Sequence, residues 1–349
     1  MSRRRRVVRA LAALAGGVLV ALAVAEVVVR TNRERFGLST SDLWELRAFV
    51  CGGESGFRPT AYYGWVFSPD LPSVNHSGFL GTDVERARHP GVLRIACLGG
   101  STTAGNRYAG PQGSYPGALE SILAERLGRP FEVLNFGVPG WTTAESLVQW
   151  ILDGQDYRPD LVFIHHASND LFPRLAPGFR SDYTHFFHPW RTRPTSALHR
   201  FLTRWSDLYA LQELRGGGFD LFTHVAIPER EFAPEVLPGT DGAYRRNLET
   251  LIDNVRRIGA VPVLMTMAWE PNRAVTRFGE LCIVGLVDRN QVTRDVAAGT
   301  ACELFDLARS EDSELGASYI DLVHLTPEGN HRKAELVADF LLERGLVPR

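Results

Sequence analysis

From residue 93 onward, short unbroken apolar runs alternate with longer stretches in which apolar residues recur every three or four positions. The runs are 93–99 (LRIACLG), 131–137 (FEVLNFG), 161–167 (LVFIHHA), 261–267 (VPVLMTM) and 302–307 (CELFDL). Each is short enough for a strand and apolar on both alternating sets of positions, which predicts strands of a parallel sheet covered on both faces. The periodic stretches between them predict helices at 114–127, 143–153, 243–259 and 284–298, with a last helix over 327–345. The pattern therefore implies a three-layer α/β/α domain with a five-stranded sheet over residues 91–349.

One interval breaks that rhythm. Residues 171–240 are rich in aromatics, prolines and histidines (DYTHFFHPW at 182–190) without a βα period. They read as an insertion after the third strand, packed over the carboxyl edge of the sheet where ligands bind in open α/β folds, or as a surface excursion with a small core of its own.

The first thirty residues are different again. Arg3, Arg4, Arg5, Arg6 and Arg9 precede an uncharged apolar run from Ala10 to Ala25, and Val27–Val29 extend it beyond Glu26. The run is longer than an ordinary signal h-region and is expected to be a retained single-pass anchor, N-terminus in the cytoplasm and the remainder outside. Ala23-Val24-Ala25 also fits a signal-peptidase site, so secretion after cleavage near Ala25 stands as the alternative. Residues 31–90 are read as a connector and N-terminal extension.

Composition refines this little, whereas charge refines it more. The formal net charge of −2 combines +5 in residues 1–30 with −7 in the remainder. A mildly acidic body without a basic cluster argues against nucleic acid as a partner. Four cysteines are too few for a disulfide framework in a chain of 349 residues, although Cys282 and Cys302 are candidates for one pair in an oxidising compartment. His185 and His188, without a third ligand nearby, make a poor metal site, and no cofactor is expected.

The first strand leads into LGGSTTAG, residues 98–105. It lacks the lysine of a phosphate-binding loop and the G-x-G-x-x-G spacing of a dinucleotide site. Thr103 also stands where a G-x-S-x-G elbow requires glycine. Near the other end of the chain Asp321 precedes His324 by three residues, just before a helix start at Thr326-Pro327. One turn places both side chains on the same side. The carboxylate can then fix the imidazole tautomer and leave the other ring nitrogen free to take a serine proton. The second strand ends in NFGVPG (135–140) and the third in ASND (167–170).

With these blocks in order, the chain resembles the SGNH (GDSL-like) hydrolase superfamily, and in NHSGFLG (75–81) its membrane-anchored bacterial members. The superfamily's serine, glycine, asparagine and histidine map onto Ser101, Gly137, Asn169 and His324. Gly100 stands where the superfamily usually has aspartate and Ala167 where it has glycine, and Leu80 replaces the arginine of the membrane-anchored members' segment.

The resemblance implies a flavodoxin-like sheet and a catalytic triad of Ser101, His324 and Asp321. It also implies an oxyanion hole from the Ser101 and Gly137 N–H groups and the Asn169 amide. Trp141, Gly100 and Thr102 are weaker candidates for substrate contact. The activity implied is that of an exported serine esterase acting on O-acyl, chiefly O-acetyl, esters of envelope carbohydrate. Two rivals share the fold: an O-acyltransferase to a sugar hydroxyl, and a carbohydrate-binding or assembly protein without turnover.

Overall fold

The five apolar runs form one parallel sheet. Ahead of it stands a two-stranded antiparallel hairpin, Phe57–Pro59 (β1) and Trp65–Phe67 (β2). The sheet strands are Leu93–Gly99 (β3), Phe131–Gly137 (β4), Leu161–His165 (β5), Val261–Met265 (β6) and Glu303–Phe305 (β7). The computed structural model describes residues 3–36, 57–60, 62–69, 71, 73–105, 110–186, 197–215, 235–236, 239–273, 277–310 and 315–348. Strand order across the sheet is β4-β3-β5-β6-β7, with every pairing parallel. This is the doubly wound, flavodoxin-like order, whose direction of winding reverses between β3 and β5.

Alternate side chains of each strand enter two different cores, as a sheet buried on both faces requires. Ile95, Cys97, Val133, Phe163 and Met265 pack under helices Tyr115–Leu127 and Pro327–Glu343. Ala96, Leu98, Leu134, Phe136 and Ile164 pack under Thr143–Leu152, Gly242–Arg257 and Arg277–Thr300. Helix starts are set by side-chain caps. Ser114 accepts from Gly117 N, Thr326 from Gly329 N, and Thr142 forms a reciprocal capping box with Glu145.

Three strands, β5, β6 and β7, end earlier than their apolar runs, and after the first two a side chain takes over. After β5, the His166 carbonyl is taken by the Tyr244 hydroxyl at 2.6 Å. After β6, both backbone polar groups of Met267 are taken by the Asn290 side chain, at 2.8 and 2.7 Å. In each case a side chain from a covering helix replaces the ladder partner.

The cysteine pair is corrected. Cys282 and Cys302 are buried and form no disulfide with each other. Cys282 lies inside helix Arg277–Thr300, and the eighteen residues from Cys282 to Thr300 span about 27 Å of helix. That is far beyond the reach of a disulfide.

The chain divides into two compact units, one of residues 57–192 and 222–349, the other of residues 1–56 and 193–221. The first holds the sheet. The second holds helix Arg3–Thr31, whose stretch Ala13–Thr31 is long and apolar enough to cross a membrane or serve as a signal sequence. With it go helices Ala197–Trp205 and Asp207–Arg215, both from within the 171–240 interval. Glu26 joins them by accepting from Ser206 Oγ, Asp207 N and Leu208 N at 2.7, 2.9 and 3.0 Å. Arg33 adds an ion pair to the buried Asp207 at 2.6 Å.

Candidate active site

Strand register brings the loops to one level. Gly99 pairs with Gly137 on one side and His165 on the other, so β3, β4 and β5 end together at the carboxyl edge. Ser101 follows β3 and Asn169 follows β5, flanking the point where the winding reverses, the usual ligand position in such sheets.

Ser101 opens a four-residue helix, Ser101–Ala104. Its Oγ is 2.6 Å from His324 Nε2, although 223 residues separate them. His324 Nδ1 lies 2.7 Å from Asp321 Oδ2. The other carboxylate oxygen accepts from the Val323 and His324 N–H groups at 2.9 and 2.8 Å, fixing the one-turn loop. Burial pulls the Asp321 carboxyl upward, but the His324 hydrogen bond and charge, together with the two N–H donors, outweigh it and hold the pKa below the ordinary value. Ionised Asp321 thus favours the tautomer with its proton on Nδ1, leaving Nε2 as an acceptor facing the serine.

Asn169 Nδ2 donates to the Trp141 carbonyl at 2.9 Å, which uses one of its two amide hydrogens. A Cβ on Gly100 would sit 2.6 Å from that nitrogen and 3.3 Å from the Trp141 carbonyl, so glycine there is what admits the amide beside Ser101. Asp170 is fully buried, accepting from Thr143 N and Oγ1 and from Tyr183 OH. It anchors the backbone immediately after Asn169.

Two expected residues are placed differently. The Gly137 N–H donates to Asn135 Oδ1 at 3.0 Å in a buried position, and the glycine's open side faces Ala104 N, 2.3 Å from where a Cβ would stand. Gly137 therefore seats β4 against the Ser101 helix and does not supply an oxyanion donor. Trp141 is fully buried, with its ring edge-on to Tyr63 and Phe79 and its Nε1 donating to the Trp65 carbonyl at 3.0 Å. It is a core residue that contributes its carbonyl, not a substrate platform. Thr102 is buried, and its carbonyl accepts from Lys333 Nζ at 3.3 Å.

Gly140 was missed in the sequence. It sits at φ 79°, directly before Trp141, and among the described residues its N–H takes no acceptor. The second glycine of NFGVPG was the available signal, but spacing does not reveal which of the two N–H groups is free.

His165, His166 and His185 are held by structural partners. His165 is buried against Thr103 and Lys333, and burial lowers its pKa well below the ordinary value. His166 bonds Ser146 Oγ at 2.9 Å, and burial pushes its pKa down to about 3. His185 contacts the Arg180 N–H and the Pro173 carbonyl. His188 lies outside the described residues.

A doubly wound sheet with a serine, an imidazole and a carboxylate in hydrogen-bonded sequence at its switch point defines an α/β hydrolytic enzyme. The chain belongs to the GDSL-like lipase/acylhydrolase family, whose model matches residues 97–332, and it is an ester-hydrolysing enzyme. No curated protein matches it in sequence.

Solved structures similar to it include LAE5, an α/β hydrolase enzyme from the metagenome of Lake Arreo, Spain, at 18% identity over 72% of this chain and 95% of that one, with a TM-score of 0.42. A lipase/acylhydrolase from Enterococcus faecalis is 17% identical over 72% and 97% of the two chains, with a TM-score of 0.43. The acetyl xylan esterase AlAXEase is 15% identical over 71% and 100%, with a TM-score of 0.45.

Proposed function

We propose that this enzyme is a membrane-anchored serine esterase that removes short acyl groups, O-acetyl first among them, from carbohydrate of the cell envelope. The observation that carries the mechanism is the 2.6 Å approach of Ser101 Oγ to His324 Nε2, with Asp321 2.7 Å behind the ring. Ser101 Oγ attacks the ester carbonyl carbon while Nε2 accepts its proton. The tetrahedral oxyanion is held by the N–H groups of Ser101 and Gly140 and by the second amide hydrogen of Asn169. Donors fixed before the charge develops stabilise it without reorganisation. His324 then protonates the departing alkoxide, the C–O bond breaks, and an acyl-Ser101 ester remains. A water molecule deprotonated by Nε2 attacks that ester, releasing the carboxylic acid and restoring the serine.

Placement outside the cytoplasm is supported by the five arginines ahead of the apolar helix. Retention of that helix is supported by its apolar stretch, Ala13–Thr31, which is longer than an ordinary signal h-region. The substrate assignment joins this location to the acylhydrolase family.

The test is acetate release from O-acetylated envelope polysaccharide by the full chain in vesicles, beside Ser101→Ala. Serine-dependent release is expected. Activity confined to long-chain lipid esters would overturn the substrate class, and acetyl transfer to added glycan without net acetate would turn the reading to a transferase.

A further inference from the structure

The short helix Ala197–Trp205 is built inside out for a water-soluble segment. Leu198, Phe201 and Trp205, spaced three and four residues apart, share one face. That face is bare, with exposures of 65%, 59% and 61%. Thr203, on the opposite side, is fully buried. These apolar exposures equal those along helix Arg3–Thr31, where Leu14 is 65% exposed, Leu19 67% and Val27 60%. A soluble surface seldom leaves so much contiguous apolar area open.

The two helices are locked together at one level. Glu26 accepts from Ser206 Oγ and from the first N–H groups of the following helix, Asp207 N and Leu208 N. Arg30 bonds both Glu26 and the Trp205 carbonyl, at 2.8 and 2.7 Å, and Arg33 pairs with Asp207. Glu26 lies five residues before Thr31, about 7.5 Å of helix rise from the end of the apolar stretch. The Arg204 guanidinium stands 5.7 Å over the Trp205 ring, an amphipathic pair of the kind that settles at a headgroup boundary.

We propose that Ala197–Trp205 lies in the outer surface of the lipid bilayer, with Leu198, Phe201 and Trp205 in the acyl boundary and the Glu26–Arg30–Asp207 cluster fixing its depth. The occupant of the bare face is lipid, because the face is apolar and the Glu26 and Arg30 bonds to residues 205–208 hold it at the level of the last turns of the spanning stretch, the depth where interfacial helices reside. Glu26 belongs to the same design. A carboxylate near the end of a span is tolerated when hydrogen-bond donors surround it, and residues 206–208 supply three. The inference rests on the anchor reading of the N-terminal helix and is independent of the esterase chemistry.

The experiment uses the full chain reconstituted in phosphatidylcholine/phosphatidylglycerol vesicles. Tryptophan emission is compared for the wild type, Trp205→Phe, and Trp205→Phe combined with Phe201→Trp. Lipids brominated at shallow or deep acyl positions quench from within the bilayer, and iodide quenches from water.

The expected result is a bromolipid-quenched share of emission that disappears in Trp205→Phe and returns with Phe201→Trp, larger for the shallow label. A Trp205 signal quenched by iodide and untouched by bromolipid would overturn the proposal. So would one protected from both, which would mean that protein covers the face. Flotation of the vesicles separates the two readings: a chain that does not float removes the anchor and this helix together, whereas a chain that floats with Trp205 in water removes only the helix.

Discussion

Trp141 Nε1 donates to the carbonyl of Trp65 at 3.0 Å, and Trp65 Nε1 returns the bond one turn away, to the Pro139 carbonyl, also at 3.0 Å. This clasp ties the hairpin ahead of the sheet to the loop Val138–Trp141, which holds both Gly140 and the carbonyl that orients Asn169. The segment 75–81 packs beneath it, with Phe79 buried edge-on to Phe136 and Trp141. Leu80 is buried beside Phe67 and Ala104.

Trp65→Phe keeps the apolar bulk and strands the Pro139 carbonyl. The expected cost is about 1–3 kcal/mol of stability, with a fall in kcat larger than any change in KM because the loop that carries Gly140 and orients the Asn169 amide loosens. Urea unfolding and ester kinetics measured side by side check this; unchanged kcat with lowered stability would confine the clasp to folding.

Asn169→Ala removes the amide proposed as a donor to the developing charge. Turnover is expected to fall by about 10²–10³ with KM nearly unchanged. A loss carried by KM alone would reassign Asn169 to substrate binding.

Gly137→Ala and Gly140→Ala separate the two glycines of NFGVPG. A Cβ at Gly137 would come within 2.3 Å of the Ala104 nitrogen, so this variant is expected to lower the thermal midpoint strongly. Gly140 has φ 79°, a conformation that side chains rarely adopt, so its variant carries backbone strain at the proposed donor. The expected signature is a kcat defect exceeding the stability defect. Thermal melts with kinetics on both proteins decide.

Much of the fold was legible because a sheet buried on both faces leaves continuous apolar runs, and 93–99 and 131–137 became strands over their full length. The row Ser101–His324–Asp321 was legible because each member sits at a strand end or helix start that the pattern marks. What escaped depends on contacts between distant residues. Gly137 and Gly140 differ only in what surrounds their N–H groups, and an Asn135 side chain two residues away occupies one of them. Trp141 follows a turn, a position that suggests exposure, yet Trp65, 76 residues away, draws it into the core. The division of the 171–240 interval between two units rests on Glu26 meeting residues about 180 positions away, which no local pattern records.

Stability should depend on pH through two buried carboxyls beneath the site. Burial pushes Glu145 up to about 7 and Asp170 up to about 6, against the Thr142 and Thr143 hydrogen bonds that favour their ionised forms. The folded state therefore binds protons more tightly than the unfolded chain, and stability falls as pH rises from the ordinary values of 4.5 and 3.8 through about 7 and about 6. Glu145→Gln should flatten the upper part of that decline in denaturant titrations at a series of pH values. A wild-type curve that rises across the window would contradict it.

Everything proposed for the chemistry depends on Ser101 as the nucleophile. The most direct test challenges the full chain and Ser101→Ala first with a fluorophosphonate probe and then with an activated acetate ester. Covalent labelling and turnover are expected in the wild type, and loss of both in a variant whose circular dichroism is unchanged. Labelling or turnover of Ser101→Ala at the wild-type level would contradict it.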